Sequence, residues 1–318
     1  MIDNTGLSIG DSRIVRGIRL NFRDRNMERV DGINLTLWSP HEDAWGGDVN
    51  GAAIGLPLTG ARRISGLGLG IFGVGAEEEF SGIGVGGFGV GAGGDASGIL
   101  IGGFGVGAGG DVRGLTIGGF GAGAGGHVTG ITIGGFGAGA GGGVTGLQIG
   151  GFGVGSGGDV RGITIGGFGA GSGGDITGLT IGGFGTGAGG DVNGITIAGI
   201  AAGAGGTMRG FTIAGAAAGA PTVRGIVVSS VAGGHDVYGG ILAPLYFRLD
   251  SEEDGDLALF RGVSVSALNH VKGEQRGLTI GLFNYAWELR GWQVGVINCA
   301  ESNRGLKCLP LVNWDRRN

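Results

Sequence analysis

Aspartate residues recur in this chain at one fixed position of a sixteen-residue interval. Five aspartates lie sixteen residues apart, or a multiple of sixteen: Asp95, Asp111, Asp159, Asp175 and Asp191. Carboxylate oxygens gathered in this way are the ligands that calcium prefers. Arginines two residues after the same register position offer another means of neutralising the column: Arg113, Arg161 and Arg209. Glycine- and aspartate-rich calcium rolls use a nine-residue repeat that is absent here. We therefore expect solvated turn residues and no metal site.

Threonines form a second column with the same interval. Its members, interrupted by Gln148, are Thr116, Thr132, Thr164, Thr180, Thr196 and Thr212. A flat ladder of hydroxyls could bind ice or a polysaccharide, so these threonines are the candidate ligand column. Threonine also favours strands for its shape alone. We expect the column to lie on a solvated face of a strand.

Phenylalanines form a third column. They are Phe72, Phe88, Phe104, Phe120, Phe136, Phe152, Phe168 and Phe184. Stacked rings could hold a carbohydrate, but aromatic side chains more often fill a core. We expect these rings to be packed inside.

Catalytic patterns are weak in this sequence. The four histidines share no spacing with a serine, a cysteine or a carboxylate that would suggest a triad or a metal site: His41, His127, His235 and His270. Each central copy contains GxGxxG, but a dinucleotide site needs that motif between a strand and a helix. We expect no catalytic residue, no cofactor and no bound metal.

These columns exist because the chain repeats. A polar residue, a glycine and an apolar–x–apolar triplet recur with a strict spacing of sixteen from Gly82 to Gly210. Looser copies extend to both ends, which gives about nineteen in all. We divide the chain into irregular coils with a cap (1–81), a uniform centre (82–224) and irregular coils with a cap (225–318). Insertions at 39–50 and 248–261 are expected to be loops; the second carries five acids.

The repeat predicts an all-β fold, a β-solenoid of about nineteen coils. Leu115, Thr116 and Ile117 alternate in polarity as a strand does, and glycine pairs break the alternation twice in each copy. Glycine makes up 86 of 318 residues, which disfavours helices. Identical copies favour stacked coils over an up-and-down barrel, although a copy that holds a hairpin keeps the barrel open as an alternative.

Glycine alternates with alanine in the second half of each copy. The strand that contains Ala122 and Ala124 would therefore have an outer face of nearly bare backbone, to which another sheet can come close. This candidate contact face comprises Gly105, Gly121, Gly123, Gly137, Gly139, Gly153 and Gly169.

Composition narrows the choice of partners. The net charge is −5, whereas nucleic-acid binding calls for a basic face. Cys299 and Cys308 have no metal-site spacing; we expect two buried thiols rather than one disulfide. The first residues lack the pattern of a signal peptide, and no stretch is long and apolar enough for a transmembrane helix.

The C-terminal copies resemble a known family. The segments "RGLTIGLFNYA", "RGWQVGVINCA" and "LPLVNW" are similar to the GLQIGLVN-type units of bacterial surface repeat-containing proteins. The centre differs, because Gly105, Gly121 and Gly137 replace the asparagine that follows the aromatic residue. The resemblance implies a location at the cell surface or outer envelope, and no catalysis.

Together these features predict a non-catalytic structural or interaction protein. It would associate with itself, or with another envelope protein, through the flat Gly/Ala face. The alternative is a solenoid that binds ice or polysaccharide through the threonine column.

Overall fold

The computed structural model describes residues 3–40, 46–251 and 256–315. They form strands and turns without a helix, and their contacts divide the chain into two units, 1–166 and 167–318. Each unit is a β-solenoid, and the two contain about 17 turns with a period of about sixteen residues, rather than about nineteen. The predicted fold class is confirmed. His41 and the acids at 252–254 lie outside the described residues.

In unit 1 the first six strands have five to fourteen residues, and from β7 onward each coil contains one strand of four residues and one of seven. They are β1 (Thr5–Ile9), β2 (Ile14–Asn21), β3 (Arg29–Thr36), β4 (Asp48–Gly55), β5 (Leu58–Gly70), β6 (Gly73–Gly86), β7 (Gly89–Ala92), β8 (Ala96–Gly102), β9 (Gly105–Ala108), β10 (Val112–Gly118), β11 (Gly121–Ala124), β12 (Val128–Gly134), β13 (Gly137–Ala140), β14 (Val144–Gly150), β15 (Gly153–Ser156) and β16 (Val160–Gly166).

Unit 2 starts with the same alternation and ends with longer strands. They are β17 (Gly169–Ser172), β18 (Ile176–Gly182), β19 (Gly185–Ala188), β20 (Val192–Ala198), β21 (Ala201–Ala204), β22 (Thr207–Ala214), β23 (Ala217–Val228), β24 (Val231–Leu242), β25 (Tyr246–Leu249), β26 (Ala258–Val265), β27 (Leu268–Gln275), β28 (Leu278–Leu289), β29 (Trp292–Ala300) and β30 (Cys308–Trp314).

Within each unit, the coils pair in parallel with their neighbours, like residue beside like. In β10 and β12, Gly114 lies beside Gly130 and Thr116 beside Thr132. The last pair is different, because β30 returns antiparallel along β29. A disulfide joins Cys299 to Cys308 across this pair. The expectation of two thiols is therefore wrong: the chain reversal brings the two cysteines to paired positions, which sequence spacing could not show.

The anchor glycines bend the long strands. Gly130 has a φ of +127°, and an added Cβ would lie 2.2 Å from the backbone oxygen of Gly114 in the coil before. Gly114 and Gly146 have the same conformation, with φ of +122° and +129°. An L side chain rarely adopts this backbone geometry. The position therefore has to be glycine for both conformation and close stacking.

The side of the long strand that faces inward is the opposite of the one we expected. Val128, before the bend, is 1% exposed, and the strand alternation continues through Gly130, so Thr132 also points inward and is 1% exposed. Ile131 and Ile133 consequently point outward. The prediction of a solvated threonine column is wrong, because the buried valine fixes which side of the strand faces in.

The phenylalanines are outside as well. The members of the phenylalanine column in unit 1, from Phe72 to Phe152, are 48% to 59% exposed, so the prediction of core packing is wrong for this column. The corner is too narrow for a ring: an added Cβ on Gly134 would lie 1.8 Å from the backbone oxygen of Gly137 across the turn. The core between the two strands is built from small side chains such as Val128, Ala122 and Ala138.

Candidate interaction surfaces

Two aliphatic columns run along the outside of the long strands of unit 1, on either side of the inward threonine position. The first contains Leu7, Ile18, Ile33, Ala52, Leu67, Ile83, Ile99, Leu115, Ile131, Leu147 and Ile163. The second contains Ile9, Leu20, Leu35, Ile54, Leu69, Val85, Ile101, Ile117, Ile133, Ile149 and Ile165. We call these two columns the aliphatic face.

The aliphatic face is accessible to solvent. Ile83, Ile99, Ile131 and Ile163 are 38% to 46% exposed. Polar side chains occupy the inner position between the two columns, where Thr116, Thr132 and Gln148 are at most 1% exposed. The large apolar side chains therefore face water while the polar ones are enclosed, which is the opposite of the usual distribution in a soluble strand.

Unit 2 carries equivalent columns of its own. One of them contains Ile181, Ile197, Ile213, Val228, Leu242, Val265, Ile280 and Val294. Near the end of this column an apolar groove of about 420 Å³ is lined by Val265, Ile280, Val294, Leu282 and Pro244. The exposed apolar surface is therefore a property of both units.

The phenylalanines of unit 1 follow the second aliphatic column by three residues in each central coil. Their rings lie above one another with centroids 4.9 to 5.9 Å apart, from Phe72 to Phe152. In unit 2, Phe168 and Phe184 stack at 4.1 Å. The spacing in unit 1 is within the range of favourable aromatic pairs. We call the set in unit 1 the phenylalanine ladder.

The glycine face lies on the short strands, as the alternation predicts. Ala122 and Ala138 point inward and are 5% and 6% exposed, whereas Gly121 and Gly137 point outward. An added Cβ on Gly121 would approach no atom more closely than 3.8 Å, and one on Gly105 or Gly169 would remain 3.5 or 3.6 Å away. For the other candidates, the atom nearest to an added Cβ would lie 3.6 Å away at Gly139 and 3.2 Å away at Gly123. Gly153 occupies the same half-buried position at the start of β15.

The aspartate column connects one coil to the next. Oδ1 of Asp95 accepts the backbone N–H of Asp111 at 2.8 Å, and Oδ1 of Asp111 accepts that of His127 at 2.8 Å. His127 continues the chain, because its Nδ1 accepts the N–H of Gly143 at 2.9 Å. These side chains complete the backbone pairing where the strands are interrupted at a corner. Sequence reasoning considered solvation, a metal ion and pairing with arginine, and it missed this role.

Arginines beside this corner form ion pairs with its carboxylates. Neutralisation by arginine was one of the alternatives that the sequence offered. Arg113 lies 2.8 Å from Asp111, and Arg209 lies 2.7 Å from Asp191. The backbone N–H of Thr207, with Arg209 second, holds the pKa of Asp191 below its ordinary value. Within the described ranges, no group of three histidines, cysteines or acids could hold a metal ion.

The threonine column lies inside the coil. The hydroxyl oxygens of Thr116, Thr132 and Thr164 have no hydrogen-bond partner among the described residues, and neither do the two polar atoms of Gln148. The same holds for Thr180 and Thr196 of unit 2, and Thr212 is 2% exposed. Ice or a glycan outside the folded coil has no access to these hydroxyls.

The inner column carries a buried polar network toward the chain end of each unit. In unit 1, Arg19 and Asp24 are fully buried and form an ion pair, and Nη1 of Arg19 also donates to Asn34 Oδ1 at 3.0 Å. In unit 2, Nε2 of Gln293, which lies in the register of Thr212, donates to Gln275 Oε1 at 3.1 Å. These groups are satisfied inside the protein, so they help to fix the register of the terminal coils.

Sequence reasoning missed the aliphatic face, although the signal was present. Val128 precedes the anchor glycine of its copy, and counting by twos from a buried Val128 through Gly130 places Thr132 inward and Ile131 outward. The expectation that the threonines face solvent implies the opposite alternation and places the larger side chains in the core.

Comparison with known proteins identifies no relative. No family model matches this sequence, and neither a curated protein nor a solved structure shows significant similarity to it. A membrane-spanning helix is absent from the described part of the chain.

Proposed function

We propose that this protein is a non-catalytic interaction scaffold, whose repeated coils present a long apolar surface to a partner. The observation that carries the proposal is the aliphatic face, where large side chains such as Ile131 and Ile163 are 40% and 41% exposed. Apolar patches on monomeric proteins seldom exceed about 300–600 Å², and larger ones mark contact sites.

The glycine face is the second candidate contact. Its outward glycines leave backbone accessible, which permits close approach of another sheet. It offers much less apolar side-chain area than the aliphatic face, because nothing projects from Gly121 or Gly137. We therefore assign the main contact to the aliphatic face and keep the glycine face as the alternative.

Several features support a structural rather than a catalytic role. The aspartate corner accepts backbone N–H groups from neighbouring coils, and the arginines beside it are ion-paired. The ionisable groups of the repeat thus serve to hold coils together.

We also propose a location at the cell surface or outer envelope. The partners there would be copies of the chain or another envelope protein. The family resemblance of the C-terminal copies favours this location. The disulfide between Cys299 and Cys308 supports it, since disulfides persist in oxidising compartments. The threonine column is enclosed, so it offers no binding surface to ice or to a glycan.

The test uses three exposed positions in cells that make the protein. Ile131→Arg adds a charge to the aliphatic face, Gly121→Arg adds one to the glycine face, and Thr129→Arg is the control. Thr129 is exposed and lies two residues before Ile131 on β12, in register with Arg113, so arginine fits there. Native gel electrophoresis of cell fractions reports assembly size, and protease treatment of intact cells reports surface exposure.

We expect Ile131→Arg to release the protein from its assembly while Thr129→Arg does not. Release by Gly121→Arg alone would assign the contact to the glycine face. If all three variants remain in the same fraction and assembly as the unaltered chain, the interaction-scaffold proposal is wrong.

A further inference from the structure

We infer that the partner of the aliphatic face of unit 1 is a second copy of this chain, packed face to face. This inference rests on the proposed function and specifies its partner. It follows from the area of the face, its periodicity and its charge.

The exposed area suffices for a stable dimer. Ten side chains of the two columns are 37% to 77% exposed; at about 120 Å² each, they leave roughly 550 Å² uncovered. The half-buried members of the columns add roughly 300 Å². Over unit 1 the total is therefore roughly 800 Å², which matches the area of about 800 Å² that a standard interface buries from each partner. The face is thus large enough for a stable dimer without any contribution from unit 2.

The periodicity of the face favours an identical partner. Outward side chains on one strand, such as Ile131 and Ile133, stand about 6.8 Å apart, and like residues recur about every 4.8 Å from coil to coil. Ridges with these spacings fit best between ridges of the same spacings, which a second copy supplies. A twofold arrangement brings one face against itself and closes the assembly, and two sheets packed in this way lie about 10 Å apart.

The charges disfavour a lipid surface as the partner. Helices or faces that bind membranes are bordered by unpaired lysine and arginine that attract anionic headgroups. At the margin of the aliphatic face, Arg113 and Arg161 are paired with Asp111 and Asp159, and the chain has a net charge of −5. No charged side chain occupies either aliphatic column, so a second copy can approach without burying a charge, and the margin forms a polar rim.

The experiment uses the purified full-length chain. Sedimentation velocity over a range of concentrations measures the mass of the unaltered protein, of Ile131→Arg and of the matched control Thr129→Arg. Circular dichroism confirms that each variant folds, which is expected because both positions point outward. In parallel, Ile131→Cys and Thr129→Cys are treated with a bis-maleimide; the two natural cysteines are joined in a disulfide and do not react.

We expect the unaltered chain and Thr129→Arg to sediment as dimers, and Ile131→Arg to dimerise roughly a hundredfold or more less tightly, because an unpaired charge would be buried twice in a twofold interface. Cross-linking should be efficient through Cys at position 131 and weak at 129.

A monomer at every concentration overturns the inference, as does a dimer that Ile131→Arg leaves intact. Binding of the monomer to phosphatidylcholine or phosphatidylcholine–phosphatidylglycerol vesicles, lost in Ile131→Arg, would replace the second copy with a lipid surface. If the purified chain is monomeric while Ile131→Arg still disrupts the assembly in cells, only the inference about the partner fails, and the interaction-scaffold proposal stands.

Discussion

The substitution Gly130→Ala tests whether the anchor glycines are required by the stacking of coils. Gly130 has a φ of +127°, and the new Cβ would lie 2.2 Å from the oxygen and 3.0 Å from the carbon and nitrogen of Gly114. These neighbours are backbone atoms of a paired strand, so relief requires the two coils to separate locally. The matched control is Gly121→Ala, where the nearest atom is 3.8 Å away and φ is not positive.

The expected cost has two parts. Holding a non-glycine residue in this backbone conformation costs about 1–3 kcal/mol. Moving the coils apart weakens two or three neighbouring hydrogen bonds, each worth about 0.5–1.5 kcal/mol. We therefore expect Gly130→Ala to lower the stability of its coil and the next by about 3–5 kcal/mol. Gly121→Ala should change stability by less than about 1 kcal/mol, with a small gain from reduced freedom of the unfolded chain.

The assay is native-state hydrogen exchange followed by urea unfolding. Hydrogen exchange is needed because a long array of repeats does not have to unfold in one step, and it reports opening near residues 112–134 separately from the ends. Equal protection in the two variants, or a loss below about 1 kcal/mol in Gly130→Ala, would refute the claim that stacking requires glycine at this position.

Two further substitutions probe the inner column and the corner. Thr132→Val keeps the shape of a side chain that is 1% exposed and removes a hydroxyl without a partner. We expect it to raise the free energy of unfolding by about 1 kcal/mol, measured as a higher urea midpoint. A lower midpoint would mean that the hydroxyl has a hydrogen-bond partner in solution. The pKa of Asp191 is lowered by the backbone N–H of Thr207 and then by Arg209. A lowered pKa means that the unfolded chain takes up the proton first as the pH falls, so the stabilisation is complete above the ordinary aspartate pKa of about 3.9 and is lost on acidification through the lower folded value. As the pH is lowered from 6 to 2, the melting temperature of Asp191→Asn should fall less steeply than that of the unaltered chain. Identical slopes would show that this carboxylate does not contribute to the pH dependence of stability.

The fold class and the glycine face could be predicted from sequence. A strict repeat of sixteen residues means that each coil meets the same environment as the next, and this condition favours stacking in register over a barrel. Glycine pairs mark the corners because there is no space for a side chain: an added Cβ on Gly118 or Gly119 would lie 1.9 Å from a backbone oxygen. The alternation of Gly121 and Gly123 with Ala122 and Ala124 then places bare backbone outside, as the structure shows.

The side of the long strand that faces inward could not be decided from residue polarity. Large apolar side chains are normally buried, and that rule assigned Leu115, Ile117 and Phe120 to the core. The coil has room only for small side chains at its corner, where an added Cβ on Gly118 would lie 1.9 Å from the backbone oxygen of Gly121. This limit applies to the corner alone, because Leu100 and Gln148 fill the inner column of the long strands and are at most 2% exposed. On the long strand, the buried valine position decides which side faces inward.

The sequence by itself determined the repeat, the strands, the glycine corners and the columns of like residues, because periodicity and backbone preference are local properties. Only the tertiary structure decided which columns are inside, that Asp95 and Asp111 accept backbone N–H groups of the next coil, and that Cys299 meets Cys308. These outcomes depend on the width of the coil and on the return of β30 along β29. Distances between residues far apart in the chain set both, and no local pattern contains them.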